Sequence, residues 1–437
     1  MPSHCRSLFS ARTLLVLLSV LLPATSALCQ KITLRRAIEA TLSHSGEIIP
    51  QADEARSYAA YREARNAYLP RVMFGSGLGG SFGFPLSLEN AAPSLFNVTT
   101  QQVLYSPAQK AFVRAARSSW DAGKMQSEDQ RQGLIQDAVL TYIELNKWSQ
   151  ELDLLNTELA NNRKMEDVEQ QRVKEGVDRP AEYDKARLAT ARVRVRIAEA
   201  SGFADVMRVH LAQLTGLSPA ELATEPDSIP QLPELSQESD LASKAVATSP
   251  AVKVAEQQAT AKRFSAEGEA KAARLPSVDI AAQYGLLSNF NNYKTYIRNF
   301  QSHNATGGLV FRFPFLDTAQ RARAAEAKAD AIRSARDAEE AKNKVSLETL
   351  RLQRTVQELA AAVDVSQLEY NLAQSELEST QSRIKAETGT LREEQDARTR
   401  VEQTYNALID ATLALDKARI QLLHNTGELE QWARSGR

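Results

Sequence analysis

Apolar positions along this chain follow two periods, and the change from one to the other marks the elements. From Val278 they run Val278, Ile280, Ala282, Tyr284 and Leu286, and after a polar interval Leu309, Phe311, Phe313 and Phe315 alternate in the same way. Alternation at period two predicts strands with one apolar face. Val72, Phe74, Leu78, Phe82 and Phe84 repeat the pattern more sparsely, and a less regular strand follows from about Leu95 to Tyr105. The pattern predicts four strands in two hairpins. The long stretches after each hairpin carry a seven-residue repeat instead. One seam runs Ala138, Leu145, Leu152, Leu159 beside Leu134, Thr141, Trp148, Leu155; the other runs Val356, Val363, Tyr370, Leu377, Ile384. Heptads of that length specify coiled-coil packing. Each stretch breaks near Gly176 or Gly389 and returns as a second helix ending near Gly216 or Gly427, which predicts two antiparallel helical hairpins. At about 1.5 Å per residue, the run from Ala108 to Gly176 makes a rod on the order of 100 Å.

The order of elements occurs twice. Glu63-Ala64, Ala67 and Leu69-Pro70-Arg71-Val72 recur as Glu269-Ala270, Ala273 and Leu275-Pro276-Ser277-Val278. Ala108-Gln109-Lys110 is echoed by Ala319-Gln320-Arg321, and Leu211 with Thr215-Gly216 by Leu422 with Thr426-Gly427. Each Leu-Pro pair stops the helix before it, because proline disfavours helix for the preceding residue and cannot donate within one. The expected organisation is a signal over 1–27, a first repeat over 28–217, a linker over 218–240, a second repeat over 241–430 and a tail over 431–437. Pro219, Pro226, Pro230 and Pro233 mark the linker.

The start of the chain adds a compartment. Arg6 and Arg12, an apolar run from Leu14 to Leu22, then Pro23, Ala24, Thr25, Ser26 and Ala27 form a secretory signal with cleavage expected after Ala27. Export argues against cytoplasmic enzymology. Cys5 leaves with the signal and Cys29 remains alone, so neither an internal disulfide nor a multi-cysteine metal site can form. Cys29 is a candidate for lipid acylation, although Leu28 stands where that processing prefers a small residue; the other reading is a plain cut and a free thiol. With 53 basic and 54 acidic residues the net charge is −1, and no basic field for nucleic acid stands out. Beyond the signal no apolar stretch approaches the roughly 18 residues of a spanning helix, so any membrane crossing falls to strands.

Four strands are too few to close a barrel, and open edges are not tolerated in lipid. Three copies would supply twelve strands and align twelve long helices with them. In these features, from about Leu34 to Leu429, the chain resembles the TolC-like outer-membrane efflux proteins. The resemblance implies a mainly α fold with a transmembrane β portion: long antiparallel coiled-coil hairpins and four strands per protomer, in a trimer that forms a 12-stranded barrel on an α-helical tunnel. It also implies a passive exit channel in the outer membrane, in contact with its lipid, whose helical part lies in the periplasm. Cargo would come from an inner-membrane pump through a periplasmic adaptor, with no enzymatic step and no cofactor.

The same resemblance makes the turns at Gly176 and Gly389 adaptor-docking tips, with Lys174, Gly176 and Val177 in the first and Lys385, Gly389 and Thr390 in the second. Measured from those glycines to Gly216 and Gly427, the second tip is expected to be two residues shorter. Family members often carry aspartates six and nine residues after the second glycine as a constriction; here those places hold Gln395 and Arg398. Glu393, Glu394 and Asp396 lie close enough to serve, or form a solvated helix face. His44-Ser45-Gly46 replaces the family's Asn-Pro, which survives only as Ser249-Pro250.

Other readings are weaker. Gly75-Ser76-Gly77-Leu78-Gly79-Gly80 matches a dinucleotide-binding pattern but opens no helix. His44, His210, His303 and His424 are scattered, and no nucleophile, base or metal constellation appears. Phe290, Tyr293, Tyr296 and Phe300 read as loop residues near a lipid interface. A soluble periplasmic coiled-coil scaffold or adaptor would explain the signal and heptads, yet it leaves the paired strands unexplained.

Overall fold

The computed structural model describes residues 30–44, 48–76, 94–233, 240–287 and 301–435. The signal, Cys29, the glycine run beyond Ser76 and the aromatic group from Phe290 to Phe300 lie outside them. Contacts divide the chain into two compact units. The first comprises Met1–Thr41, Ala138–Pro230 and Ser435–Arg437, the second Leu42–Asp137 and Gln231–Arg434.

In the second unit, helix α2 (Ile48–Asn66) leads into strand β2 (Arg71–Gly75), which pairs with β3 (Ser94–Tyr105). Helix α6 (Pro250–Ala272) likewise leads into β5 (Ser277–Leu287) and β6 (His303–Arg312). The two hairpins join through β3 and β5 into one antiparallel sheet of order β2-β3-β5-β6. The echoed glutamines fasten the helices that follow. Gln109 Nε2 donates to the Ala64 carbonyl at 2.7 Å, and Gln320 Nε2 to Glu269 Oε2 at 2.6 Å. Each thus ties the first turn of a long helix to the last turns of the helix before its hairpin. Ser106 Oγ and Asp317 Oδ1 accept from the Gln109 and Gln320 N–H groups at those starts, satisfying donors that a helix leaves unpaired.

Helix α7 (Thr318–Lys385) and helix α8 (Leu391–Thr426) pack along the second heptad seam: Val356, Leu415 and Ala418 are buried, with Leu359, Ala360 and Val363 against them. Helix α5 (Leu241–Thr248) and the short α9 (Leu429–Arg434) close this unit. Lys244 pairs with Glu428 at 2.6 Å, Arg131 grips Glu430 in a bidentate pair at 2.7 and 2.8 Å, and Trp432 Nε1 donates to the Gln231 carbonyl at 3.1 Å.

Helix α3 (Pro107–Lys174) runs 68 residues, about 100 Å at 1.5 Å each, and its portion from Ala138 belongs to the first unit. There it packs against α4 (Pro180–Thr215), with Leu155, Val193 and Ala200 buried among Trp148, Leu152, Leu159 and Ile197. Burying a leucine as completely as Leu155 contributes about 2–3 kcal/mol. The segment after α4 is not a featureless connection. Strand β4 (Leu222–Thr224) pairs in parallel with β1 (Gln30–Ile32), which precedes α1 (Leu34–His44). Tyr142, fully buried on α3, secures both: its hydroxyl donates to the Ile32 carbonyl at 2.7 Å, accepts from the Glu225 N–H at 2.9 Å and lies 2.9 Å from Ser228 Oγ. Burial pushes its phenol pKa up.

Candidate functional site

The sheet has two chemically different faces. Paired residues share a face, so Phe74, Val98, Tyr284 and Ala305 lie on one side, as do Ile280 with Leu309 and Val278 with Phe311. The opposite side carries Asn97, Thr99, Gln101, Gln283, Thr306 and Asn304, and at its helix end Asp279, buried and held by Arg312 at 2.6 Å. The apolar side is left open to solvent, with Val72 at 67% and Phe311 at 71% exposure.

Rings cross that apolar side in a row. Phe74 stacks on Phe96 at 5.5 Å, Phe96 meets Tyr284 at 5.7 Å, and Tyr284 Oη lies 2.8 Å from His303 Nδ1, so every strand contributes one ring. Exposed Phe311, Phe313 and Phe315 gather near the opposite end of β6. From His303 to Phe311 is about 27 Å along the strand at ~3.4 Å per residue. At a tilt of about 40° that is roughly 20 Å of height, close to the ~25 Å apolar band between the aromatic girdles of a transmembrane barrel wall. Strands β2 and β6 form the sheet's edges and have no outer partner among the described residues. Sequence patterning found the alternation but placed an aromatic group only in the 290–300 segment. The row was missed because Phe74, Phe96, Tyr284 and His303 become neighbours only through strand pairing.

The two helical turns are built alike. In the first, Lys174 ends α3, Gly176 has φ 74°, and the Val177 and Asp178 N–H groups donate to the Arg172 carbonyl at 2.9 and 3.3 Å. In the second, Lys385 ends α7, Glu387 has φ 57°, and the Thr388 and Gly389 N–H groups donate to the Arg383 carbonyl at 2.9 and 3.1 Å. The counterpart of Gly176 is therefore Glu387, not Gly389. The expectation of a second tip two residues shorter is corrected: α3 and α7 both have 68 residues, α4 and α8 both have 36, and five residues separate each pair. What moved is the glycine. Gly389 answers a different need, since an added Cβ would meet Ile384 Cγ1 and its backbone N at 3.0 Å.

Electrostatics differ between the turns. In the first, Arg172 bonds Asp178 and holds its carboxyl below the usual range, while burial pushes the Glu169 carboxyl up, with Asp178 adding to the shift. In the second, Thr390 and Glu393 form a reciprocal capping box that starts α8, and Glu393 also lies 3.4 Å from Arg383. Glu394 pairs with Arg398 at 2.7 Å and accepts from Gln381 at 3.3 Å. Gln395 is half-buried, and Asp396 is exposed with no side-chain partner among the described residues. Among those residues, no group of three or more His, Cys, Asp and Glu is placed to hold a metal, and no helix is long and apolar enough to cross a membrane.

No protein-family model matches the sequence, and no curated protein matches it. Solved structures do. The chain superposes with TM-score 0.75 on CusC, known for transmembrane channel formation, at 15% identity over 91% of this chain and 92% of CusC. It matches the outer-membrane protein VceC of Vibrio cholerae at 0.73, with 16% identity over 90% of this chain and 96% of VceC. The open state of the outer-membrane channel MtrE of Neisseria gonorrhoeae gives 0.72, with 17% identity and 92% of both chains covered. The chain has the TolC-like channel fold.

Matching the two turns by backbone also changes the count along α8. The places six and nine residues beyond Glu387 are Glu393 and Asp396, where counting from Gly389 reached Gln395 and Arg398.

Proposed function

We propose that this chain is the outer-membrane channel of a tripartite efflux or secretion system, a passive conduit for cargo delivered by an inner-membrane pump through a periplasmic adaptor. The observation that carries the reading is the four-stranded sheet, polar on one face, apolar and ringed with aromatics on the other, with two edges unpartnered among the described residues. In water such a sheet is an aggregation hazard; closed with copies of itself in lipid it is a wall. Three copies give twelve strands, with the amide- and hydroxyl-bearing face toward an aqueous lumen and the helical hairpins forming a tunnel in the periplasm. The two halves of the chain, 28–217 and 241–430, each contribute one strand pair and one hairpin, with 218–240 between them and 431–437 as a tail. Likeness to outer-membrane channels of known structure supports the assignment. A soluble scaffold gives the apolar face no use.

In this reading the turns at Lys174, Gly176, Val177 and at Lys385, Gly389, Thr390 face the adaptor, and Glu393 with Asp396 narrows the tunnel entrance. The signal directs export, and acylation of Cys29 would add an anchor. The test is conductance of the purified, detergent-extracted protein across a planar lipid bilayer, with its native mass measured beside it. Discrete openings from a trimer are expected. A soluble monomer without channel activity would return the scaffold reading. Deleting the residues around Gly176 and Gly389 should abolish export while trimers persist in the membrane, and unchanged export would remove the tip assignment.

A further inference from the structure

The described strands β2, β3, β5 and β6 hold three Asp, Glu, Lys or Arg residues, Arg71, Asp279 and Arg312, and all three lie on the polar face. Pairing fixes their side. Arg71 opposes Gln101, Asp279 opposes Val103 and Val310, and Arg312 opposes Ser277, two residues before Asp279. Asp279 is 2% exposed, and the Arg312 guanidinium donates to its Oδ2 at 2.6 Å, so these two charges offset each other. Arg71, the first residue of β2, is exposed and meets no ionic partner among the described residues. Each chain thus carries one uncompensated positive charge on this face, at the helix end of the sheet.

A trough lies beside that charge. Arg71, Gln101, Ala281 and Gly308 form one row across the four strands, and the last two are too small to fill the space above them. A Cβ added at Gly308 would meet nothing within 4 Å. The resulting groove, about 370 Å³ in volume, is lined by Thr99, Gln101, Gln283 and Thr306. Their amides and hydroxyls donate hydrogen bonds without carrying charge. Such donors next to one guanidinium suit an anion: phosphate or carboxylate oxygens can accept from all of them, and the planar fork of arginine matches those oxygens in pairs. A cation would find only Asp279, which Arg312 already holds.

We infer that Arg71 and this trough form a station for anionic oxygens in the lumen wall, so that cargo bearing phosphate or carboxylate groups is favoured where the path passes between helices and strands. The inference rests on the proposed channel, which turns this face toward water and brings the copies of Arg71 to one level. A lumen lined by a single sign of charge between low-dielectric walls raises the local concentration of the opposite ion. Here that ion is the anion.

The test records single channels of the purified, detergent-extracted protein, inserted into a planar bilayer from one side. The long polar helices stay in the chamber of addition, so the outer mouth of the barrel faces the other chamber, where pyrophosphate or citrate is added. At least one should reduce the current, and which one does so separates phosphate-bearing from carboxylate-bearing cargo. The block should weaken as salt rises from about 0.1 to about 1 M, because screening then shortens from roughly 10 Å to roughly 3 Å. Arg71→Gln should raise the blocking concentration about fivefold or more, the factor that one contact between unit charges in water supplies, while Arg71→Lys should keep it near the native value. Block by neither anion, a block indifferent to salt, or an Arg71→Gln channel blocked as readily as the native one would each overturn the station and leave the channel reading intact. Absence of any openings from the native protein would overturn both. If Arg71→Gln forms no channels, the anion and salt measurements on the native protein still decide.

Discussion

Adjacent residues Ala282 and Gln283 sit at one depth on opposite faces of the sheet, and arginine at each separates a membrane wall from any other use of it. Ala282 pairs with Thr100 on β3 and Gly307 on β6; Gln283 pairs with Thr99 and Thr306. Gly307 is four residues from His303 and four from Phe311, so the Ala282 position lies midway between the aromatic row and the phenylalanines near the helix end. Midplane arginine on a lipid face costs about 2–4 kcal/mol, while lumen positions tolerate it. Ala282→Arg should therefore lower the equilibrium constant for folding into bilayers roughly 30- to 1,000-fold, and Gln283→Arg should change it by less than about threefold. The assay follows protease protection and heat-modifiable migration of both variants in lipid vesicles across a urea series. Equal penalties, or a larger one at Gln283, would refute the assignment of the apolar face to lipid.

Glu387→Gly should relieve a left-handed backbone that costs other residues about 1–2 kcal/mol, offset in part by glycine's own entropy. It would slow hydrogen exchange at the Thr388 amide about fivefold, whereas Gly176→Ala would speed it at Val177. Tyr142→Phe removes a buried hydroxyl shared by Ile32, Glu225 and Ser228, and should cost about 1–3 kcal/mol in urea unfolding while increasing protease cleavage near β1. The Asp416 carboxyl is pushed up to about 6 by burial, with Arg419 opposing. The folded chain then holds that proton more tightly than the unfolded one, so its contribution is full below about pH 4 and is lost as pH rises through about 6. Asp416→Asn should raise stability at pH 8 by on the order of 1–3 kcal/mol and change it little at pH 4, as read from unfolding midpoints at both values.

Local periodicity carried much of the architecture. The alternation at Val278 to Leu286 and the heptads through Leu155 and Val356 each reflect a face that a partner element must cover, so strands and coils were legible without coordinates. Long-range pairing was not. The three-residue strands β1 and β4 leave no periodic trace, and the segment of β4 reads as a proline-rich linker although Tyr142 pins it to α3. The turns were legible as turns, but the glycines misled as markers: Gly176 is required by its φ and Gly389 by the closeness of Ile384, two causes that look the same in a sequence.

The equal turns also govern how this chain could be recombined. A chimera that exchanged the two tips by superposing Gly176 on Gly389 would shift one helix by two residues, which rotates it about 200° against its partner and turns its heptad seam outward. Exchanged instead at the shared hydrogen bonds, Arg172 to Val177 for Arg383 to Thr388, the graft would leave both seams facing inward. The two tips are interchangeable modules only when matched by backbone, and a comparison with any distant relative inherits the same condition.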